Sequence, residues 1–272
     1  NLISEIKRTW LYLKKLFKKK TLNLKNFKYY TSIKEALRDA DFVQECASEN
    51  YTLKTKLMNT IGKYAKHNAI ISSSSSGLLP TRIYSRCKNP ERAMIGHPFN
   101  PVYMLPAVEI VPGKKTTKKY LNQANKFYKS ISMNPIMVKH ELPGYLSDRL
   151  QEALWREGLH IISEGHATTE DLDRAIEDGP GLRWSLMGTF LTFHLAGGKN
   201  GMRHMLEQFG PALKLPWTKL KAPKLSKKLI NRLVEGTKKQ SKGKSVTKIS
   251  NIRDAYLVEL QKLRKKYEKK LR

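Results

Sequence analysis

Short apolar runs alternate with helical patterns up to about residue 138, and beyond Pro143–Gly144 only helical spacing continues. Strands that alternate with helices dictate right-handed βαβ units and a parallel sheet, because each helix must cross the sheet before the next strand can join it. The runs Phe42–Cys46, Ala69–Ser72, Ala93–Gly96, Ala107–Val111 and Pro135–Val138 read as strands, with a further short strand at Phe27–Tyr30. Helices are expected over Ser32–Arg38 with Ser32 as its cap, over Leu53–Tyr64 and over Tyr120–Ser130. After the Pro-Gly break, helices are expected over Tyr145–Glu164, Thr169–Glu177, Asn200–Phe209, Ser226–Gln240 and Val246–Leu271. The expected organisation is an α/β domain over residues 1–139 and an all-helical domain over residues 140–272, with no repeat of fixed period.

Residues 2–17 place Ile3, Ile6, Trp10, Leu13 and Phe17 at helical spacing opposite a Lys-rich face. Such a helix lies on a membrane surface or covers a sheet, and the second is expected. The net charge is +29, from 52 Lys and Arg against 23 Asp and Glu. That excess suits a polyanion binder. Lysines spread along the chain carry most of it, however, and arginine is the side chain that phosphate and base recognition favours. With no zinc-finger, basic-zipper or RNP pattern, no nucleic-acid partner is expected. Cys46 and Cys87 give neither a disulfide framework nor metal-ligand spacing, so a metal-free protein in a reducing, cytoplasmic setting is expected. The longest uncharged apolar stretch, near residues 184–198, is too short to span a bilayer and contains His194, and the front shows no signal-peptide pattern, so no membrane partner is expected.

Three groups of residues invite chemistry. Glu109 sits inside the apolar run Ala107–Val111. A buried carboxylate needs a partner, and His97, at the end of the preceding strand, is the candidate. A carboxylate there would fix the imidazole tautomer and favour its charged form, making His97 a general base. The alternative is that strand alternation turns Glu109 to solvent. Second, Ser72–Ser76 and Gly77 follow an apolar strand, at the strand end where α/β folds bind ligands, although a serine tract is also an ordinary loop. Third, Glu45, Glu49 and Lys54 follow the strand ending at Cys46, as strand-end ligands or as a solvated helix start.

Taken together, the strings IISSSSSGLLPTRI and RAMIGHPFNPVYMLPAVEIV resemble the signature of the L-3-hydroxyacyl-CoA dehydrogenase superfamily. The downstream strings LPGYLSDRLQEALWREGLHIISEG, GPGLRWSLMGTFLTFHLAGG and FGPALKLPWTKL look more like its carnitine-oxidising members than its acyl-CoA enzymes or lambda-crystallin. The resemblance runs from about Thr31 to beyond Glu235. It implies a Rossmann-type sheet domain that binds NAD, then a helical domain for substrate binding and dimerisation. His97 would take the 3-hydroxyl proton and Glu109 would steady its imidazolium. Ser76 would hydrogen-bond the substrate oxygen, and Asn100 would lie beside nicotinamide and substrate. Glu49 and Lys54 would line the nicotinamide-side ribose. At the place of a further family Asn stands Asp148, which argues against an ordinary acyl-CoA substrate. L-gulonate and 3-hydroxybutyryl-CoA remain rival substrates, and a non-catalytic, crystallin-like protein remains a rival role. The retained Ser76, His97, Asn100 and Glu109 favour the enzyme.

The family opens with a strand, a G-x-G-x-x-G turn and a helix that hold the pyrophosphate. This sequence begins at Asn1 without that segment. The expectation is a fragment or a misplaced start, which as it stands binds NAD poorly. The implied substrate is a small 3-hydroxy acid such as carnitine, whose quaternary ammonium calls for aromatic faces. Trp184, Phe190, Phe193 and Trp217 are candidates, with Tyr103 and Tyr145, and Phe190 or Phe193 is expected in an ammonium pocket. The alternative for each is core or dimer interface. Arg183 and Arg203 could meet a carboxylate. By resemblance the protein is a homodimer.

Overall fold

The computed structural model describes residues 2–17, 21–218, 224, 226–240, 242 and 244–271. It divides into two compact units: the chain up to Gln151 apart from Lys15–Phe17, and Lys15–Phe17 with Glu152–Arg272.

The first unit carries α1 (Leu2–Phe17) up to Lys14, α2 (Ile33–Leu37), β1 (Phe42–Glu45), α3 (Tyr51–Tyr64), β2 (Ile70–Ser73), α4 (Pro80–Ile83), β3 (Ala93–Pro98), β4 (Ala107–Pro112), α5 (Lys118–Ser130) and β5 (Asn134–Met137). The strands form one sheet in the order β1-β2-β3-β4-β5. It is parallel except for one pair: β4 runs antiparallel to β3, and β5 follows β4. Successive side chains of a strand face opposite ways. Ile71, Ile95 and Val111 therefore enter one core with Met58, Ile61 and Ile83. Their neighbours Ile70, Met94 and Ile110 enter the other with Ala124 and Tyr128 of α5. By the same alternation His97 shares a face with Ile95, and Glu109 shares that face with Val111.

Local chemistry sets the element ends. Ser32 caps α2, and Asn50 caps α3 by accepting from Leu53 N, so α3 starts ahead of its apolar pattern. Phe27–Tyr30 forms no strand. Phe27, Tyr29 and Tyr30 stay exposed, and no neighbouring strand takes up the backbone groups of this lysine-flanked segment. α1 has no buried residue; its Arg8 donates to Tyr103 Oη at 3.4 Å. It is thus not buried against the sheet as its apolar stripe suggested. Gly96 packs beneath the Tyr128 hydroxyl, which meets Ser72 Oγ at 2.9 Å and donates to Gln44 Oε1 at 2.6 Å.

α6 (Ser147–Glu164) starts in the first unit and continues in the second. It begins two residues later than its apolar pattern, because Gly144 at φ +70° and Tyr145 at φ +45° are left-handed and cannot be helical. Among the described residues the second unit forms helices and no strand, with α7 (Thr169–Glu177), α8 (Pro180–Trp184), α9 (Thr189–Ala196), α10 (Gly201–Phe209), α11 (Lys227–Gln240) and α12 (Val246–Leu271). Thr168 and Asp171 close a capping box on α7. Arg232 donates to the carbonyls of Ile162 and Ser163, both at 3.0 Å, tying α11 to the end of α6. Among the described residues, no helix is long and apolar enough to cross a membrane.

Candidate active site

Topology gathers the chemical side chains at one end of the sheet. β1, β2 and β3 are parallel, so their carboxyl ends coincide, and antiparallel β4 starts there. That edge carries Glu45 at the end of β1, the serines after Ser73, His97 near the end of β3, and Glu109 in β4. Carboxyl ends of parallel strands are where open α/β sheets bind ligands.

His97 and Glu109 are register partners across the antiparallel pair. Side chains directly opposite each other on one face touch, and here His97 Nδ1 lies 3.0 Å from Glu109 Oε2. Glu109 is fully buried, so the solvent-facing alternative is excluded. Its second oxygen accepts from Leu146 N at 2.9 Å, Ser147 N at 3.0 Å and Ser147 Oγ at 3.3 Å. Burial alone would raise this carboxyl. The bonds from His97, Ser147 and Leu146 outweigh it and hold the group below its ordinary range. An ionised carboxylate only accepts, so Nδ1 is the protonated nitrogen that faces Glu109, which leaves Nε2 as the ring atom that faces away from it. Asp148 Oδ2 stands 3.8 Å from that nitrogen.

A second cluster occupies the ends of β1 and β2. Lys54 is buried and its Nζ donates to Glu45 Oε1 and Oε2, both at 3.1 Å, and to Ala47 O at 2.9 Å, with Glu49 Oε2 at 3.6 Å. The helix start is therefore not solvated: Lys54, Met58 and Ile61 lie on one buried face of α3. Glu49 Oε1 accepts from Ser75 Oγ at 2.6 Å, Ser76 N at 3.0 Å and Gly77 N at 3.1 Å. Burial pushes the Glu49 carboxyl up, but the Ser75 hydroxyl, the Gly77 amide, Lys54 and the Ser76 amide together hold it low. Its side chain is 41% exposed, so Oε2 keeps acceptor capacity towards solvent.

The segment Gly144–Ser147 joins the clusters. Gly144 N donates to Gly77 O at 3.3 Å, Tyr145 Oη donates to Leu78 O at 2.6 Å, and the next two amides hold Glu109. The structure thus brings together His97, Glu109 and Asp148, and beside them Glu49, Lys54 and the Ser76 backbone. Ser76 and Asn100 are exposed at the ends of β2 and β3. Trp184, Phe190 and Phe193 belong to the second unit, where Phe190 is 82% exposed. Sequence reasoning placed no site role on Leu146 or Ser147, and did not pair Glu45 with Lys54. Helical spacing back from Met58 and Ile61 signals the burial of Lys54, and hence its need for Glu45. Nothing local signals the two amides, which come from 37 and 38 positions downstream of Glu109.

Residues 4–141 match the NAD binding domain of 3-hydroxyacyl-CoA dehydrogenase, and residues 144–245 match the C-terminal domain of the same enzyme family. The chain is 52% identical over 233 residues to an L-carnitine dehydrogenase of Bacillus cereus, covering 86% of this chain and 72% of that protein. It is 48% identical over 258 residues to one from Oceanobacillus iheyensis, covering 95% of this chain and 84% of that protein. A solved 5-formyl-3-hydroxy-2-methylpyridine 4-carboxylic acid 5-dehydrogenase shares the fold at a TM-score of 0.77 and 20% identity, over 97% of this chain and 85% of that one.

Proposed function

Since this chain belongs to the 3-hydroxyacyl-CoA dehydrogenase family and is an NAD-dependent oxidoreductase, we propose that its reaction is oxidation of the 3-hydroxyl of L-carnitine to a ketone, with His97 as general base. The observation that carries the reading is the hydrogen bond between His97 Nδ1 and buried Glu109. The substrate reading is supported by relatives that are 42–52% identical and named for L-carnitine.

The strand-end cluster fits a dinucleotide. Ribose hydroxyls need acceptors, and Glu49 offers an exposed carboxylate oxygen beside a buried ammonium. Glu49, Ser76 and Asn100 would hold the nicotinamide half, and buried Lys54 would act through Glu49, which it approaches at 3.6 Å. NAD, when bound, supplies the hydride acceptor.

His97 performs the proton chemistry. Its Nε2 lone pair takes the proton of the substrate hydroxyl as the carbinol carbon is oxidised, and Nδ1–H keeps its bond to Glu109. The ring then carries a positive charge, and the ionised Glu109 stabilises it without accepting the proton. The three donors on the other Glu109 oxygen keep that carboxylate aimed at the ring. The Ser76 hydroxyl would donate to the substrate oxygen. On this reading the protein is a cytoplasmic homodimer. The exposed Leu182, Leu213 and Trp217 of the second unit offer apolar surface for self-association.

The test is NADH absorbance with L-carnitine as substrate. Turnover of L-carnitine, at a kcat/KM at least tenfold above that for L-gulonate or 3-hydroxybutyryl-CoA, is expected. Preference for either of the other two, or no turnover of any with NAD in large excess, overturns the reading.

A further inference from the structure

Asp148 stands on the open side of the His97 ring. Glu109 takes Nδ1, and Asp148 Oδ2 lies 3.8 Å from Nε2, the nitrogen that meets the substrate hydroxyl. Among the described residues, the two charged groups within ion-pair distance of this imidazole are both carboxylates. They differ in access: the Glu109 side chain is fully buried and the Asp148 side chain is 34% exposed. Asp148 is also held in place, because the preceding residue, Ser147, donates its amide and hydroxyl to Glu109. The same short segment therefore steadies the base and presents a second negative charge to whatever the base binds.

A hydroxyl in reach of Nε2 lies about 2.6–3.2 Å from it. The two arms of a 3-hydroxy acid branch from the carbinol carbon, so the first charged atom of one arm comes within a few ångströms of Asp148. That is well inside the Debye length of about 8 Å, and salt does not screen it. Carnitine carries a cation on one arm and a carboxylate on the other. With the hydroxyl at His97 and the carbinol C–H turned to the hydride acceptor, exchanging the two arms is the same as inverting the configuration.

Resting on the carnitine reading above, we propose that Asp148 is a charge-sorting residue: it receives the ammonium arm, repels the carboxylate arm, and so selects cationic 3-hydroxy acids and one enantiomer of them. A residue that only steadied the imidazole would act on all substrates alike.

The experiment measures Kd by calorimetry and KM by NADH absorbance. The ligands are L-carnitine, D-carnitine and L-configured 3-hydroxy-5,5-dimethylhexanoate, in which carbon replaces the quaternary nitrogen. Wild-type protein is expected to bind L-carnitine at least tenfold more tightly than the neutral isostere. In Asp148→Asn that ratio, and the ratio of L- to D-carnitine affinity, should each fall at least tenfold, and Asp148→Glu should restore part of both. Equal wild-type affinity for L-carnitine and its isostere overturns the proposal, and this measurement needs no variant to fold. Unchanged ratios in Asp148→Asn, even with a lower kcat, also overturn it and leave a positioning role. Failure of wild-type protein to oxidise L-carnitine would instead sink the substrate assignment, whatever the binding ratios show.

Discussion

Glu109 accepts from His97 Nδ1, from the amides of Leu146 and Ser147, and from the Ser147 hydroxyl. Replacing it with Gln removes the charge that stabilises the imidazolium and puts an NH2 among donors. Glu109→Gln should lower kcat by about 10^2–10^4-fold with a much smaller change in KM, as steady-state kinetics would show. The pH dependence of stability has a definite sign. Burial raises this carboxyl, its hydrogen bonds lower it further, and the folded value sits below the unfolded one of about 4.3. Its contribution to stability is thus present above about pH 4.3 and is lost as pH falls through the folded value. The Tm gap between wild type and Glu109→Gln should be widest near neutral pH and close on acidification below about pH 4.3; a gap that widens in acid would refute this. At this scale the sequence was partly readable. An acid inside an apolar run advertises a partner, and His97 was the nearest candidate. Glu45 was harder, because a strand-end glutamate looks the same whether it meets water or a buried lysine.

The antiparallel pairing of β3 and β4 makes the dyad, since it sets His97 opposite Glu109. Apolar texture does not reveal strand direction, so the sequence pattern, which suggested a parallel sheet, left the direction of this one pair unstated. The available signal was length: residues 99–106 are too few for a parallel crossover, which needs about a dozen or more. Within β3, Gly96 has no room for a side chain. A Cβ there would overlap Tyr128 Oη and Ser72 Oγ, both in a buried network with Gln44. Gly96→Ala should therefore cost about 1–3 kcal/mol, read by denaturant unfolding, because the tyrosine ring must shift inside a packed layer. A cost near zero would show that the layer yields. Phe27–Tyr30 teaches the converse: aromatic content suggests a strand, but a strand forms only where a neighbour takes its backbone groups.

A chain with 52 basic and 23 acidic residues repels itself when folded. Exposed charges farther apart than the Debye length, about 30 Å at 0.01 M and about 8 Å at 0.15 M, stop interacting as salt is added. Thermal unfolding in sodium chloride should give a Tm that rises by several degrees across this range. A Tm that falls would mean that attractive pairs outweigh the excess, and the exposed ion pairs, such as Lys66–Asp41 and Lys262–Glu259, are too weak for that.

What the sequence determined is what neighbours along the chain can encode. The period of the apolar pattern distinguishes strand from helix, capping residues mark helix starts, and strand-end residues between Ser72 and Glu109 fall close together because the strands themselves are adjacent. What the tertiary structure alone decided depends on burial and on distant partners. It set the register that puts His97 opposite Glu109, and brought the Leu146 and Ser147 amides to Glu109. The reason is that an ionised group in a dry interior must find its donors or acceptors wherever the fold supplies them, and no local spacing records how far along the chain those partners lie.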